Sequence, residues 1–299
     1  MSLELLPYRR NMKEDVLQLI LQNLPESCVL FAERFEKAYF AKCFVLMHEK
    51  MHEKKVCGAF LISKTGLLLF CIPSAVARGD RSDEAKAALR EFFEKEFSQK
   101  NPITCISGEK HGVLFLSALC AKSPNCTQRG NAKEYALLKH DGKTFAPPNP
   151  VFPPVVRCSG KKYFSSLLPL RREYERVEVC EPSGIEFSEQ RCRAALLRLL
   201  LSHEILALPF GGEKDKHFAA TAAVSAETAH FVQIGGVFTE TAFRGRGMAC
   251  FLTQIIAREA FLHGKQTVLF VRKTNTPALQ AYTNAGFSAL AEYAIVYFE

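Results

Sequence analysis

The stretch from Val232 to Phe287 constrains this chain more than any other. It opens with an apolar run, Val232 to Thr239, of the length of a buried strand. A turn leads into Arg244-Gly245-Arg246-Gly247-Met248-Ala249. Apolar residues then recur at Phe251, Leu252, Ile255, Ile256 and Phe261 with helical spacing, and Gly264 suits the helix end. Thr267 to Val271 reads as a second buried strand. Asn275-Thr276-Pro277 opens a short helix that holds Ala278, Leu279 and Tyr282 and stops at Gly286. Strand, helix, strand and helix in this order imply an α/β domain.

A strand, a glycine turn and a helix make a device for holding phosphate. The first turn of a helix has free backbone N–H groups and about half a positive charge, and anions dock there. Gly245 and Gly247 carry no Cβ, so backbone can approach a diphosphate closely. Arg244 and Arg246 add positive charge at the same place. Two other phosphate motifs do not fit. A G-x-G-x-x-G pattern would need glycine at Cys250, and Gly142-Lys143-Thr144 supplies only the end of a P-loop, whose first position is Leu137.

Arg244-x-x-Gly247-x-Ala249 resembles the Q/R-x-x-G-x-G/A signature of the GNAT N-acetyltransferase superfamily. The later Asn275-x-x-Ala278-x-x-x-Tyr282-x-x-x-Gly286-Phe287 is similar to that family's second motif, at the expected distance. The resemblance runs from near Val155 to Glu299. It implies acetyl-coenzyme A as cosubstrate, with the backbone of Val237, Phe238 and Thr239 facing the pantetheine and acetyl group. It places the diphosphate on Gly245 to Cys250, through Arg246, Gly247, Met248 and Ala249, with Arg244 and Asn275 beside it. It also implies a mixed sheet of the acyl-CoA N-acyltransferase type.

Residues 1–145 repeat the order of the C-terminal half: helices, a hairpin, strand, helix, strand, helix, strand. Here the strands are Cys43–Met47, Lys55–Ile62, Gly66–Ile72, Ile103–Ser107 and Glu134–Lys139. The helices are Asn11–Asn23, Cys28–Ala41, Glu84–Phe97 and His111–Lys122. The glycine cradle is missing, and Asp80 and Asp83 stand where phosphate would need positive charge. This half reads as a degenerate GNAT-like repeat, with an unrelated α/β domain as the alternative. Residues 146–157, rich in proline, read as a semi-rigid linker. Residues 158–299 are the acetyltransferase domain, giving two α/β domains in tandem. Tyr163–Val179 and Ser188–Leu201 read as helices. Their arginines, Arg171, Arg172, Arg176, Arg191, Arg193 and Arg198, form either a solvated face or an acceptor-binding surface.

Composition restricts the function classes. The net charge of +8 is spread over both halves without a basic run, which suits mild attraction to an anionic coenzyme and gives little support for nucleic acid as main partner. No apolar run is long enough for a membrane span, and the N-terminus lacks the apolar region of a secretion signal. The eleven cysteines form no C-x-x-C pair and read as reduced, mostly buried thiols of a cytoplasmic protein. His48-Glu49-Lys50-Met51-His52 is a literal H-E-x-x-H. It lies between strand-like runs, so it reads as a charged hairpin rather than a zinc helix, and no metal is expected.

Acetyl transfer to an amine needs a polarised carbonyl, a neutral amine and a proton for the leaving thiolate. Backbone N–H groups near Val237 and Phe238 can polarise the carbonyl. By resemblance, Tyr282 is the catalytic acid, and a phenol is a reasonable proton source. The base is open. Glu240, Gln233, His217 and His230 lie near the strand, but Gln233 cannot take a proton, and water suffices where positioning supplies the rate. Cys250 reads as a packing residue rather than a nucleophile. The resulting expectation is a direct-transfer N-acetyltransferase acting on an unidentified amine, compatible with a homodimer. The alternatives are an acetyl-coenzyme A-binding regulatory module and a transferase of longer acyl chains.

Overall fold

The structure is a computed structural model that describes residues 2–50, 53–73, 76, 82–99, 102–121, 126–145, 152–210 and 217–299. The chain divides into two compact units. Unit 1 is Met1–Tyr135 with Ala291–Glu299, and unit 2 is Ala136–Leu290.

In unit 1 the strands are β1 (Ser2–Pro7), β2 (Lys42–Lys50), β3 (Glu53–Ile62), β4 (Leu67–Cys71), β5 (Cys105–Glu109), the first part of β6 (Gln128–His140) and the second part of β12 (Phe287–Phe298). They lie in the order β1-β2-β3-β4-β5-β12-β6. The β4–β5 pair is parallel, while β1–β2, β2–β3, β3–β4 and β5–β12 are antiparallel. Alternation along β3 explains the two-faced packing. Phe60 and Ile62 join the helices α3 (Ser82–Phe97) and α4 (Lys110–Cys120), against Leu89, Phe93, Val113 and Leu116. Ala59 and Leu61 face the opposite way, toward α1 (Lys13–Gln22) and α2 (Val29–Glu36), where Val16, Ile20, Phe31 and Phe35 are buried.

In unit 2 the second part of β6 lies beside β11 (Gln266–Arg272). Then come β10 (Phe231–Thr239), β9 (His217–Glu227), β8 (Ile205–Phe210) and β7 (Val156–Cys158). One face is covered by α7 (Met248–Leu262), which buries Leu252, Ile256 and Ala260 at four-residue spacing against Leu206, Ile234 and Leu269. Each fully buried leucine contributes about 2 kcal/mol. The other face carries α5 (Phe164–Tyr174) and α6 (Glu189–Ser202), packed through Leu167, Leu170, Leu196 and Leu200 onto Ile205, Ala207 and Phe238. Ser188 caps α6 by accepting from the Arg191 N–H.

Several sequence expectations are corrected. The division does not fall at a linker between residues 145 and 158. It falls inside β6, because Ala136 and Leu138 pack into the core of unit 2. Residues 291–299, expected in the second domain, complete the sheet of unit 1 through β12. Residues 156 and 157, expected in the linker, begin β7, which pairs with β8. Of that linker, 146–151 lie outside the described residues. The helix expected to run through Val179 changes character after Tyr174, and Glu175–Cys180 is π-helical. The residues of H-E-x-x-H that are described, 48–50, belong to β2, and 51–52 lie outside the described residues. The turn at 77–81, compared above with the glycine cradle, also lies outside them. Among the described residues no helix is long and apolar enough to cross a membrane. The eleven cysteines are all free thiols, six of them buried.

Candidate active site

The site begins where two parallel strands part. β10 and β11 pair only over Phe231–Ile234 and Gln266–Leu269, yet they run on to Thr239 and Arg272. Beyond Ile234 and Leu269 the facing edges have no ladder between them, so a V opens toward the C-terminal ends of both strands. On its other edge β10 bulges. Gly235 pairs with Ala223 and Phe238 with Thr221, so Gly236 and Val237 together oppose Ala222. Gly236 has φ +59, and its carbonyl accepts from the Thr221 hydroxyl at 3.2 Å. The bulge turns the backbone of Val237, Phe238 and Thr239 relative to the rest of the strand. It lies in the segment expected to face the acyl group.

After β10 a 3-10 turn, Thr241–Phe243, leads to the glycines. Gly245 and Gly247 have φ +76 and +79, a region costly for other residues, and a Cβ on either would meet nothing within 4 Å. The glycines therefore answer to backbone shape and leave open space around the turn. Gly247 is the N-cap of α7 and no side chain caps the helix. The first bond of the helix runs from the Phe251 N–H to the Gly247 carbonyl, so the N–H groups of Met248, Ala249 and Cys250 precede the ladder. The two arginines are exposed but tied down. Arg244 Nε donates to the Thr239 carbonyl at 3.1 Å, and its guanidinium lies 5.4 Å from the Phe238 ring. Arg246 donates to the Ala242 carbonyl at 3.4 Å and lies 5.3 Å from the Phe243 ring. Positive charge is thus held beside an uncapped helix start. Burial pushes the Cys250 thiol up, consistent with a packing role.

Tyr282 sits on α8 (Thr276–Asn284), buried among Phe287, Ala285 and Met248. Burial raises its phenol far above the ordinary value of 10.0, with the nearby Tyr174 and Glu178 adding to the effect. Among the described residues its hydroxyl makes no hydrogen bond. Asn275 is the N-cap of α8, its Oδ1 accepting from the Ala278 N–H at 3.2 Å.

The candidate bases do not gather. Gln233 Nε2 donates to the Ser225 hydroxyl at 3.1 Å. His230 is exposed in the turn that precedes β10, at the closed end of the V. His217 Nε2 and Glu240 Oε2 lie within hydrogen-bond distance, 2.5 Å, beside the strand's end. What the sequence did not foresee is a cluster at the mouth of the V. Arg171 and Tyr174 of α5, Glu175 and Glu178 of the π-helical segment, and Arg272 at the end of β11 meet there. Arg171 binds Glu175 at 2.8 Å and Arg272 binds Glu178 at 2.8 Å. The Tyr174 ring lies edge-on to Phe238, with centroids 6.1 Å apart. Arg171 therefore leaves the solvated set assumed for the arginines, its side chain being only 17% exposed. Arg172, Arg193 and Arg191 do lie outside, paired with Glu189 or with the Glu186 carbonyl. A π-helical turn is a recurrent feature of functional sites.

The fold recurs in solved structures. A Drosophila protein matches with a TM-score of 0.69 over 98% of each chain, at 11% identity. A tandem GNAT protein from the clavulanic acid biosynthesis pathway matches at 0.59, over 99% of this chain and 98% of that one, at 13% identity. The fold is the tandem GNAT fold. An acetyltransferase of the GNAT family from Colwellia psychrerythraea shares it over 99% of each chain, with a TM-score of 0.56 and 13% identity. The FR47-like protein family matches residues 215–296, a span that holds β9 to β11, most of β12 and both sequence motifs described above. No curated protein matches the sequence.

Proposed function

We propose that unit 2 is an N-acetyltransferase that moves an acetyl group from acetyl-coenzyme A directly to an amine. The observation that carries this reading is the pairing of the open V with the uncapped start of α7. The V offers unpaired strand backbone to an extended pantetheine. Met248, Ala249 and Cys250 offer N–H groups to a diphosphate, and the open space at Gly245 and Gly247 fits a ligand lying against backbone.

The residues then divide the work. The bulged backbone of Val237 and Phe238 orients N–H groups toward the thioester oxygen, where negative charge develops. Tyr282 holds a proton that burial keeps on the phenol, and it donates that proton to the departing thiolate. Water carries the amine proton away, and the site supplies position rather than a strong base. Unit 1 is read as a degenerate repeat, so one acetyl-coenzyme A binds per chain. The coarser alternative is a coenzyme-binding module without turnover. It is favoured by one observation: Gln233, in the strand beside the bulge, is tied to Ser225 and offers no base.

Titration calorimetry with acetyl-coenzyme A and thiol release with an amine panel test both readings. Binding at a stoichiometry near one with amine-dependent release supports the transferase. Binding without release from any amine selects the module, and absence of binding overturns both.

A further inference from the structure

The mouth of the V is crossed by α5 and the π-helical segment. At one end, a guanidinium nitrogen of Arg171 lies 3.9 Å from where a Cβ on Gly236 would stand, and the Arg171 guanidinium covers the Tyr174 ring at 4.7 Å. At the other end Glu178 holds Arg272, the last residue of β11. Two arginines thus stand at the mouth, one beside Gly236 of β10 and one at the end of β11.

Neither arginine is fully used. The Nε of Arg171 and the Nε of Arg272 are both buried and donate to nothing, although the neighbouring Nη2 of each guanidinium is anchored to a glutamate. A buried donor without an acceptor is rare and unfavourable, and a charged one more so. Two of them at one opening mark a place where an acceptor is still to arrive. Arginine has no lone pair to offer, so only an acceptor atom satisfies these groups. Glu175 and Glu178 hold the two guanidiniums through Nη2, so each remaining Nε–H keeps a set direction. The two phenols beside them, Tyr174 and Tyr282, are neutral, so they do not repel an anion.

We propose that the acceptor is an amine carrying a carboxylate, which Arg171 and Arg272 receive while the amine reaches the acyl carbon. This rests on the acyl-transfer reading above and names its substrate class. The two arginines are binding residues; the acyl carbon goes from sulfur to nitrogen, the thiolate leaves with a proton, and the amine loses one to water.

The test uses the full chain, acetyl-coenzyme A and matched triplets: the common α-amino acids, their primary amides and their decarboxylated amines. Thiol release with the acids, at a kcat/KM about 100-fold or more above the amides, is the expected result, since loss of a bound charge leaves the donors unpaired again. Arg272→Gln and Arg171→Gln should raise KM for the acids about 10-fold or more while the amides change little. Equal use of all three members overturns the carboxylate proposal and leaves acyl transfer standing. If no amine is acetylated, calorimetry of N-acetyl amino acids against their amides, on protein saturated with coenzyme A, decides. Tighter binding of the acids, weakened in both variants, supports the anion site, and equal affinity overturns it.

Discussion

His140 donates from Nε2 to the carbonyl oxygen of Ala285 at 3.0 Å, and its Nδ1 accepts from the Gly142 N–H at 2.9 Å. Both ring nitrogens are therefore occupied in the neutral form. The bond reaches from the end of β6 to the end of α8, the helix that carries Tyr282.

This pairing sets a pH dependence of stability. Burial lowers the His140 pKa below its ordinary 6.5, the neighbouring Asp141 only partly opposing it. Protonation would also turn Nδ1–H against the Gly142 N–H. As pH falls, the unfolded chain takes up the proton first, so its proton count exceeds that of the folded chain and stability drops. The contribution is intact above about pH 7, declines through 6.5 and levels off below the folded pKa. Denaturant midpoints between pH 8 and pH 5 should fall more steeply for the natural chain than for His140→Gln. Equal slopes would remove His140 from the account.

Gly286 has φ +92, and a Cβ there would lie 2.5 Å from the Thr144 carbonyl oxygen and 2.8 Å from His140 Nε2. Backbone and a buried ring cannot both retreat. Gly286→Ala is expected to destabilise unit 2 by about 3 kcal/mol, through strain and overpacking together. Thermal unfolding of the variant measures this, and an unchanged midpoint would show that the turn relaxes freely.

Gly247→Glu should abolish coenzyme binding with the fold retained. The substituted residue keeps φ +79 at about 1 kcal/mol, and its side chain meets open space. Its carboxylate would stand where the diphosphate is proposed to lie. Calorimetry should show at least about 100-fold weaker affinity, with circular dichroism unaltered. Unweakened binding would sink the cradle assignment.

Tyr282→Phe should lower turnover by about 10²- to 10⁴-fold while coenzyme affinity changes little. Since the phenol is raised above 10.0 by burial, kcat of the natural enzyme should show no descending limb due to Tyr282 below that pH. A variant that turns over normally would leave Tyr282 as a packing residue.

The glycine turn was legible in the sequence because backbone shape, not packing, demands Gly245 and Gly247, and such demands leave a spacing behind. Most strands and helices of both units were legible for a related reason: each buries a stripe whose period is local, as Leu252, Ile256 and Ala260 do, whereas β1, β7 and β12 were not read from it. The mouth cluster was not. Glu175–Cys180 has the composition of an ordinary helix, and nothing in it announces a π-helical turn. Arg171 and Arg172 are neighbours in the chain, yet one lies half-buried over Tyr174 and the other meets Glu189 outside. Their difference comes from tertiary packing that no local pattern encodes. The strand character of residues 291–298 is local too, but its partner is not: Tyr293 pairs with Glu109, and its hydroxyl lies 2.9 Å from that of Ser107.

That last pairing has a consequence for how the protein is made. A ribosome finishes residues 1–135 long before residues 291–299 exist, so during synthesis β5 has no β12 to meet and an unfilled edge stays open. Domains on a growing chain usually fold first at the N-terminal end. Here the earlier unit is expected to be the later one to finish, closing only after the whole of unit 2 has emerged. Such a distant closure slows folding, and nascent chains halted before residue 291 should remain protease-sensitive in unit 1 however long they wait.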